Sequence, residues 1–321
     1  MTERSIQIAA PARLHLGFVD LNGNLDRHFG SLGLTITGLD AVLTARPAAT
    51  LEVRGVESAR AASSASLALQ ALGETRGVAL QVEQLPPSHA GLGSGTQLGL
   101  AVATACARLY AHDMTPRALA PALGRGERSG IGIAAFEGGG FIVDGGRAKT
   151  NTTAPVLSRL QFPDLWRILL IFDDEAQGLH GAAERNAFAA LPPMSPQIAA
   201  EIARWCLVGL LPAIADSDFT QFERGVGEIQ ARIGRHFAPV QGGTHYTSPR
   251  VAEIVAKLTR KFGIRGAGQS SWGPTAFVFA PTEALATAML QFGEDVVGAQ
   301  AGLRLQLVSG CNHGASVLLG S

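Results

Sequence analysis

The chain has 321 residues, 46% of them hydrophobic and 16% charged, with 26 Lys plus Arg against 26 Asp plus Glu. That is too apolar for a disordered segment and long enough for one large domain or two of ordinary size. The formal net charge of zero removes the electrostatic case for a non-specific nucleic-acid or anionic-membrane binder.

Residues 5–16 read as a strand entering Ala10-Pro-Ala-Arg-Leu-His-Leu-Gly-Phe-Val-Asp20. Arg13 and His15 are two apart, so on a strand they share a face, while Leu14 and Leu16 take the other. A polar, Gly-rich segment follows, Leu21 to Gly33, with Asp26, Arg27 and His28. Arg13, His15, Asp20, Arg27 and His28 fall close together in the chain, more polar chemistry than a turn requires. Residues 32–37 and 41–54 read as strands, 58–72 as an Ala- and Leu-rich helix, and Val78-Ala-Leu-Gln-Val82 as the core of a strand over 78–84.

That strand feeds Leu85-Pro-Pro-Ser-His-Ala-Gly-Leu-Gly-Ser-Gly-Thr96, and an Ala-rich helix runs on to Tyr110. The order is strand, Gly-rich turn, helix N-terminus. Such a turn directs backbone N–H groups at one point, and the helix start adds uncapped donors and a positive dipole end, an arrangement that suits phosphate. Thr115-Pro116 starts another helix, with Thr as N-cap and Pro in the first turn. Gly124 to Gly146 then holds nine glycines in twenty-three residues, with Glu127, Arg128, Glu137 and Asp144 among them. Glu127 is either a carboxylate for a hard cation or the partner of Arg125 or Arg128. Phe141-Ile-Val143 reads as a short buried strand.

Apolar periodicity lapses over 148–163, around Asn151-Thr-Thr-Ala-Pro155, which sets the expected domain junction. Trp166 to Phe172 opens the second half as a buried strand ending in Asp173-Asp-Glu175. Gly178-Leu-His-Gly181 leads into a helix carrying Glu184 and Arg185, with His180 either a pocket residue or a helix-entry histidine. Helices are expected near 195–214, 217–236, 249–262 and 282–293, a loop at 240–246, and strands at 275–280, 302–308 and 315–319. A third Gly-rich segment, Gly263-Ile-Arg-Gly-Ala-Gly-Gln-Ser-Ser-Trp-Gly-Pro274, precedes the 275–280 strand. The pattern predicts an α+β fold. Cys106, Cys206 and Cys311 are far apart without metal spacing, the first residues lack a signal-peptide pattern, and no apolar run of 18–20 residues is evident. A cytoplasmic setting is expected.

Three Gly-rich segments in this order resemble the GHMP superfamily, which includes galactokinase, homoserine kinase and mevalonate kinase. Ala10-Pro-Ala-Arg-Leu-His-Leu-Gly17 looks like its first motif, Pro87 to Thr96 like its phosphate loop, and Gly266-Ala-Gly-Gln-Ser-Ser271 like its third. The resemblance implies an N-terminal domain like ribosomal protein S5 domain 2 over 1–155 and a ferredoxin-like C-terminal domain over 156–321. One departure redirects the chemistry. Kinases of this group carry an Asp as catalytic base after a Ser-Gly-Ile/Val stretch, whereas this chain has Ser129-Gly-Ile-Gly132. Glycine accepts no proton, so the usual general base is missing. Gly95 also replaces the second serine of the phosphate loop.

Arg13-Leu-His-Leu-Gly-Phe18, Gly130-Ile-Gly-Ile-Ala-Ala-Phe-Glu137, Gly-Gly-Phe-Ile-Val-Asp144, Gly178-Leu-His-Gly181 and Gly268-Gln-Ser-Ser-Trp-Gly-Pro-Thr275 resemble one branch of that superfamily, the β-ribofuranosylaminobenzene 5'-phosphate synthases of tetrahydromethanopterin biosynthesis. The resemblance implies a homodimeric transferase. It would join phosphoribosyl diphosphate to 4-aminobenzoate or 4-hydroxybenzoate, releasing diphosphate and CO2. By that resemblance Gly91, Gly93, Ser94, Gly95 and Thr96 hold diphosphate, Gly266, Gly268, Gln269, Ser270 and Ser271 contact the sugar phosphate, and Glu127 acts on Mg2+. Arg13, His15, Asp20 and Arg27 are the catalytic candidates that shape the aromatic-acid or ribose pocket. Trp272 either stacks on the aromatic substrate or packs. Two other readings are an ATP-dependent small-molecule kinase drawing its base from Asp20 or Asp144, and a ligand-binding relative without activity.

Overall fold

A computed structural model describes residues 4–320 apart from Gln177, Leu179 and His180, and the backbone alone at 182–185. In chain order its first half holds β1 (Ser5–Ala10), β2 (Arg13–Asp20), β3 (Arg27–His28), β4 (Gly30–Thr35), β5 (Ala41–Ala48), β6 (Glu52–Gly55), α1 (Ser58–Leu72), β7 (Gly77–Gln84) and α2 (Ser94–Leu109). There follow α3 (Pro116–Leu119), α4 (Ile131–Gly138), β8 (Phe141–Asp144), β9 (Arg147–Ala148), β10 (Val156–Leu160), β11 (Arg167–Asp173), α5 (Gly181–Ala190) and α6 (Pro196–Trp205). The chain closes with α7 (Leu211–Ala215), α8 (Phe219–Phe237), α9 (Pro249–Phe262), β12 (Ala267–Gln269), β13 (Ala276–Ala280), α10 (Glu283–Val297), β14 (Leu303–Ser309) and β15 (Ser316–Gly320).

The expected single strand over 5–16 is two strands in two sheets. Pro11 offers no N–H to a ladder, and the chain turns a corner there. β1 lies in a five-stranded sheet ordered β15-β1-β5-β7-β6, whereas β2 edges a four-stranded antiparallel sheet ordered β10-β8-β4-β2. The predicted 41–54 strand likewise divides at residues 49–51 into β5 and β6, which flank β7 on opposite sides. A third sheet, β12-β13-β11-β14, is antiparallel throughout.

Side-chain alternation assigns the layers. Ile168, Leu170 and Phe172 of β11, with Phe277 and Phe279 of β13, join one core cluster with the β2–β4–β8 strands and helices α6 to α8. Leu169 and Ile171, with Ala276, Val278 and Ala280, point the other way into a cluster with α9 and α10. Both faces of the third sheet are therefore covered, which is why these strands read as continuous apolar runs. α1 and α2 cover the five-stranded sheet through small residues, Ala61, Ala65, Ala68, Ala101, Ala103 and Ala105, all buried.

Two strands cross the boundary expected at 155/156. β10, residues 156–160, pairs with β8, and β15 returns from the end of the chain to pair with β1. The second half is thus stitched into the first at both ends by backbone ladders. The helical run Pro196–Ala215 is long and apolar enough, by length and composition, to cross a membrane, at a mean hydropathy of 1.6. Glu201 and Arg204 interrupt its apolar string in the sequence. In the fold Ala199, Ile202, Cys206, Leu210, Ala213 and Ile214 enter the core, and Glu201 pairs with Arg232 at 2.7 Å.

Candidate active site

The turn after β7 is built for close approach. Gly91 and Gly93 have φ of 81° and 80°, and Gly93 is the N-cap of α2 with no side-chain cap. A Cβ at Gly91 would overlap the carbonyl oxygen of Ser270, and one at Gly93 would lie 3.1 Å from Arg13 Cζ. Only glycine meets both demands. With no side chain capping α2, the start of that helix opens on a groove of about 320 Å³ lined by Gly91, Gly93, Ser94, Gly95 and Thr96 with Arg60, His89, Arg125, Ser271 and Trp272.

The three glycine-rich motifs meet along one seam. Arg13 donates its backbone N–H to Leu92 O at 3.2 Å and its Nη1–H to Gly91 O at 2.5 Å. Ser270 Oγ donates to the same Gly91 oxygen at 2.8 Å and accepts the His15 N–H at 3.0 Å. Ser271 N–H donates to His15 O at 3.1 Å.

On the far side of this seam lies a second cavity of about 260 Å³. Its apolar wall is an aromatic cluster: Phe188 against Trp272 at 4.4 Å between ring centroids, Phe237 against Trp272 at 4.9 Å, and Phe18 against Phe188 at 5.8 Å. Arg13, Arg125 and Arg128 supply positive charge to the same cavity, with Arg128 Cζ 4.9 Å from the Phe188 ring centre. His15 is buried there, 4.8 Å from Phe18, and its Nδ1 has no hydrogen-bond partner among the described residues. Burial, reinforced by Arg13 and Arg128, pulls its pKa down to about 3, so the ring is neutral at physiological pH. A bulge in the β2–β4 ladder between His15 and Gly17 brings Gly17 and Phe18 to the cavity beside Arg13 and His15. The two cavities share four wall residues, Thr96, Arg125, Ser271 and Trp272.

Not every sequence candidate reaches these cavities. Asp20 turns its carboxylate onto the backbone N–H groups of Asn22 and Gly23, at 2.6 and 3.4 Å, and closes a turn. Arg27 sits in the β3–β9 ribbon opposite Ala148. Neither lines either cavity. In the third motif Gly266 packs against Glu223, Gly268 against Gln230, and Ser270 is consumed by the seam. Gln269 and Ser271 do face the second cavity. The Gln269 amide is already engaged: Oε1 accepts Thr247 N–H at 2.5 Å, while Nε2 donates to Gln241 Oε1 and Ser271 O at 3.0 and 2.9 Å. It holds the 241–247 loop over the site. His180 lies outside the described residues.

The position of the missing base is closed. A Cβ on Gly132 would stand 2.9 Å from Thr96 Cγ2, and its carbonyl accepts Gln97 Nε2–H at 2.9 Å. Asp144 is equally committed. Its buried carboxylate accepts Gly130 N–H at 2.8 Å, Ser31 Oγ–H at 2.9 Å, Gly146 N–H at 3.0 Å and Ser31 N–H at 3.1 Å. Burial raises its pKa against the pull of those bonds, and its work is to fix the 129–131 turn.

Glu127 is exposed on the wall of the second cavity, and its charge acts on Arg125. Among the described residues no group of three or more His, Cys, Asp or Glu is placed to hold a metal. Magnesium commonly uses one or two carboxylates plus substrate phosphates, so Glu127, the one carboxylate among the described residues lining that cavity, fits an ion that arrives with a diphosphate. Sequence reading missed Arg60, Phe188 and Phe237, which sit within ordinary-looking helices. It treated Arg125 and Arg128 only as partners for Glu127, although two arginines inside a glycine run were a signal.

Two known domain families match the chain, the GHMP kinases N-terminal domain over residues 59–140 and the GHMP kinases C-terminal domain over 210–295. It is 31% identical over 292 residues to the β-ribofuranosylphenol 5'-phosphate synthase of Methanothermobacter thermautotrophicus, covering 84% of this chain and 87% of that one. The Archaeoglobus fulgidus protein of the same name is also 31% identical over 292 residues, covering 87% and 89%. Among solved structures, homoserine kinase from Cytophaga hutchinsonii superposes with a TM-score of 0.65 at 17% identity, covering 98% of this chain and 97% of that one. Mevalonate 5-diphosphate decarboxylase does so at 0.68 and 12%, with the same coverage. These two share the fold.

Proposed function

We propose a decarboxylating pentosyl transfer for this chain, which belongs to the GHMP superfamily and, within it, to the family of the β-ribofuranosylphenol 5'-phosphate synthases. The donor is phosphoribosyl diphosphate and the acceptor a para-substituted benzoate, within tetrahydromethanopterin biosynthesis. The relatives' name describes a phenol product. Loss of CO2 from 4-hydroxybenzoate leaves a phenol, whereas 4-aminobenzoate leaves an aniline, so the hydroxy acid is the first acceptor to test.

The observation that carries this reading is the meeting of an anion groove and an aromatic cavity at Thr96, Arg125, Ser271 and Trp272. The groove takes the diphosphate on Gly91, Gly93, Ser94, Gly95 and Thr96. The aromatic cavity takes the benzoate ring against Phe188, Phe237 and Trp272, with its carboxylate toward Arg13 and Arg128. As the sugar C1–O bond breaks, its electron pair leaves with diphosphate. The ring carbon bearing the carboxylate bonds to C1, pushed by the para oxygen, and the bond to the carboxylate then breaks, returning its pair to the ring as CO2 departs. No alcohol is deprotonated, which agrees with a packed Gly132. Neutral His15 contributes a polar contact without adding charge beside Arg13 and Arg128. Mg2+, when bound with the diphosphate, supplies charge neutralisation at the leaving group, and Glu127 would be the residue that holds it. The chain acts as a cytoplasmic homodimer, as the resemblance implies.

Purified protein with phosphoribosyl diphosphate, Mg2+ and 4-hydroxybenzoate is expected to release CO2 and diphosphate in equal amounts. Formation of ADP from ATP and a small alcohol, without diphosphate release, would overturn the proposal in favour of a kinase. That alternative has little support, because both of its substitute bases, Asp20 and Asp144, are occupied by backbone donors. Binding without turnover would leave the inactive-relative reading standing.

A further inference from the structure

Two guanidinium groups crowd the first turn of α2. A Cβ on Gly95 would lie 2.6 Å from Arg60 Nη2 and 3.5 and 3.6 Å from Arg125 Nη2 and Nη1, so both forks overhang the same residue. Arg60 is aimed rather than loose. Its Nη1–H donates to Ser88 Oγ at 3.1 Å and lies 3.4 Å from Glu57 Oε1, and Ser88 in turn donates to Glu57 at 2.6 Å. That leaves Nη2 toward the glycine turn. Arg125 is partly buried, and its Nε has no hydrogen-bond partner among the described residues. Burial, and after it the nearby Arg60 charge, lower its pKa against the opposing pull of Glu127. Arg60 lines only the groove, whereas Arg125 lines both cavities.

From this we propose that Arg60 and Arg125 form a two-guanidinium clamp specific for a diphosphate, and that Arg125 also acts on the leaving oxygen at the reacting carbon. The clamp on its own is a binding site. Its catalytic half rests on the transfer reaction proposed above. Two planar forks and a helix N-terminus match two linked phosphoryl groups better than one. Negative charge on the diphosphate rises as the C1–O bond breaks, so a guanidinium at the junction stabilises the transition state more than the ground state, while one remote from C1 serves binding. A Cβ at Gly95 would displace the Arg60 fork from its present position over the turn, while Arg125 would stay at ordinary contact distance.

Calorimetric titration of the whole protein with inorganic diphosphate and inorganic phosphate, in EDTA, tests the clamp without any turnover. Wild type is expected to bind diphosphate at least tenfold more tightly than phosphate. Arg60→Gln and Arg125→Gln are each expected to lose about tenfold or more in diphosphate affinity, with a smaller loss for phosphate, and Arg125→Lys to recover part of it. Thermal melting confirms that each variant is folded. In the CO2-release assay Arg60→Gln is expected to raise KM for the donor, and Arg125→Gln to lower kcat. Unchanged diphosphate affinity in both folded glutamine variants, or equal wild-type affinity for phosphate and diphosphate, would overturn the clamp even if CO2 is released. Diphosphate binding lost in the variants, with no CO2 from wild type, would leave the clamp standing and remove the reaction and with it Arg125's catalytic part.

Discussion

Burial, and after it the guanidiniums of Arg13 and Arg128, hold His15 neutral with a pKa near 3, while an unfolded histidine titrates near 6.5. Between those values the unfolded chain carries a proton that the folded chain does not. Stability therefore rises with pH through that window and levels off above it, with a slope of up to about 1.4 kcal/mol per pH unit from this residue alone. His15→Gln removes the term. Urea unfolding between pH 4.5 and 7.5 is expected to show a shallower pH dependence in the variant, and parallel slopes would reject the neutral buried imidazole. Gly132 permits a second prediction at this scale. Gly132→Asp would restore the kinase carboxylate on paper, yet its Cβ meets Thr96 Cγ2 at 2.9 Å in a buried position. Overpacking there is expected to cost about 1–3 kcal/mol, read as a lower melting temperature, with no ATP-dependent phosphoryl transfer gained. Burial pushes the thiols of Cys106 and Cys206 up to about 12 and raises that of Cys311, away from thiolate reactivity.

The phosphate turn shows what a secondary element owes to its neighbours. Gly91 and Gly124 both have positive φ, 81° and 64°. A Cβ on Gly124 meets nothing within 4 Å, whereas one on Gly91 runs into the Ser270 carbonyl. Gly124→Ala is therefore expected to cost only the left-handed backbone penalty, about 1–2 kcal/mol. Gly91→Ala adds a backbone clash that no rotamer relieves, and its melting temperature should fall clearly further, with loss of diphosphate binding. Equal losses would mean that the turn does not depend on the third motif. The same contrast explains what was legible in the chain. The strand–turn–helix order around Gly91 to Thr96, the buried strands of the second half and the three motifs are local patterns, and a sequence carries those directly. The corner at Pro11 rests on one residue inside an apolar run that continues through it, so periodicity does not mark it. The return of β15 to β1, and the placing of Arg60 over Gly95, depend on contacts between residues far apart in the chain, for which periodicity offers no signal. Asp20 and Arg27 lie near Arg13 and His15 in sequence, but β2 has left the cavity by Asp20 and Arg27 belongs to β3 beyond it.

At the level of the whole molecule, a site divided between two cavities is only as well defined as the seam between them. One hydroxyl carries much of that seam. Ser270 Oγ, fully buried, accepts from His15 N–H on β2 and donates to Gly91 O in the phosphate turn, so it ties together all three motifs. Ser270→Ala removes a single oxygen and leaves a buried donor without its acceptor, and Gly91 O with one donor fewer, from Arg13. The expected cost is about 1–3 kcal/mol of global stability, read from denaturant midpoints. The kinetic expectation is sharper. Because the seam positions the diphosphate turn on one side and His15 on the other, KM should rise for phosphoribosyl diphosphate and for the benzoate together. Phe188→Leu, which alters the aromatic wall and the ring beneath Arg128, should raise KM for the benzoate and leave diphosphate affinity unchanged. A Ser270→Ala enzyme whose donor KM alone changes would show that the two cavities are positioned independently, and that the close approach of the third motif serves the phosphates and not the meeting of the two substrates.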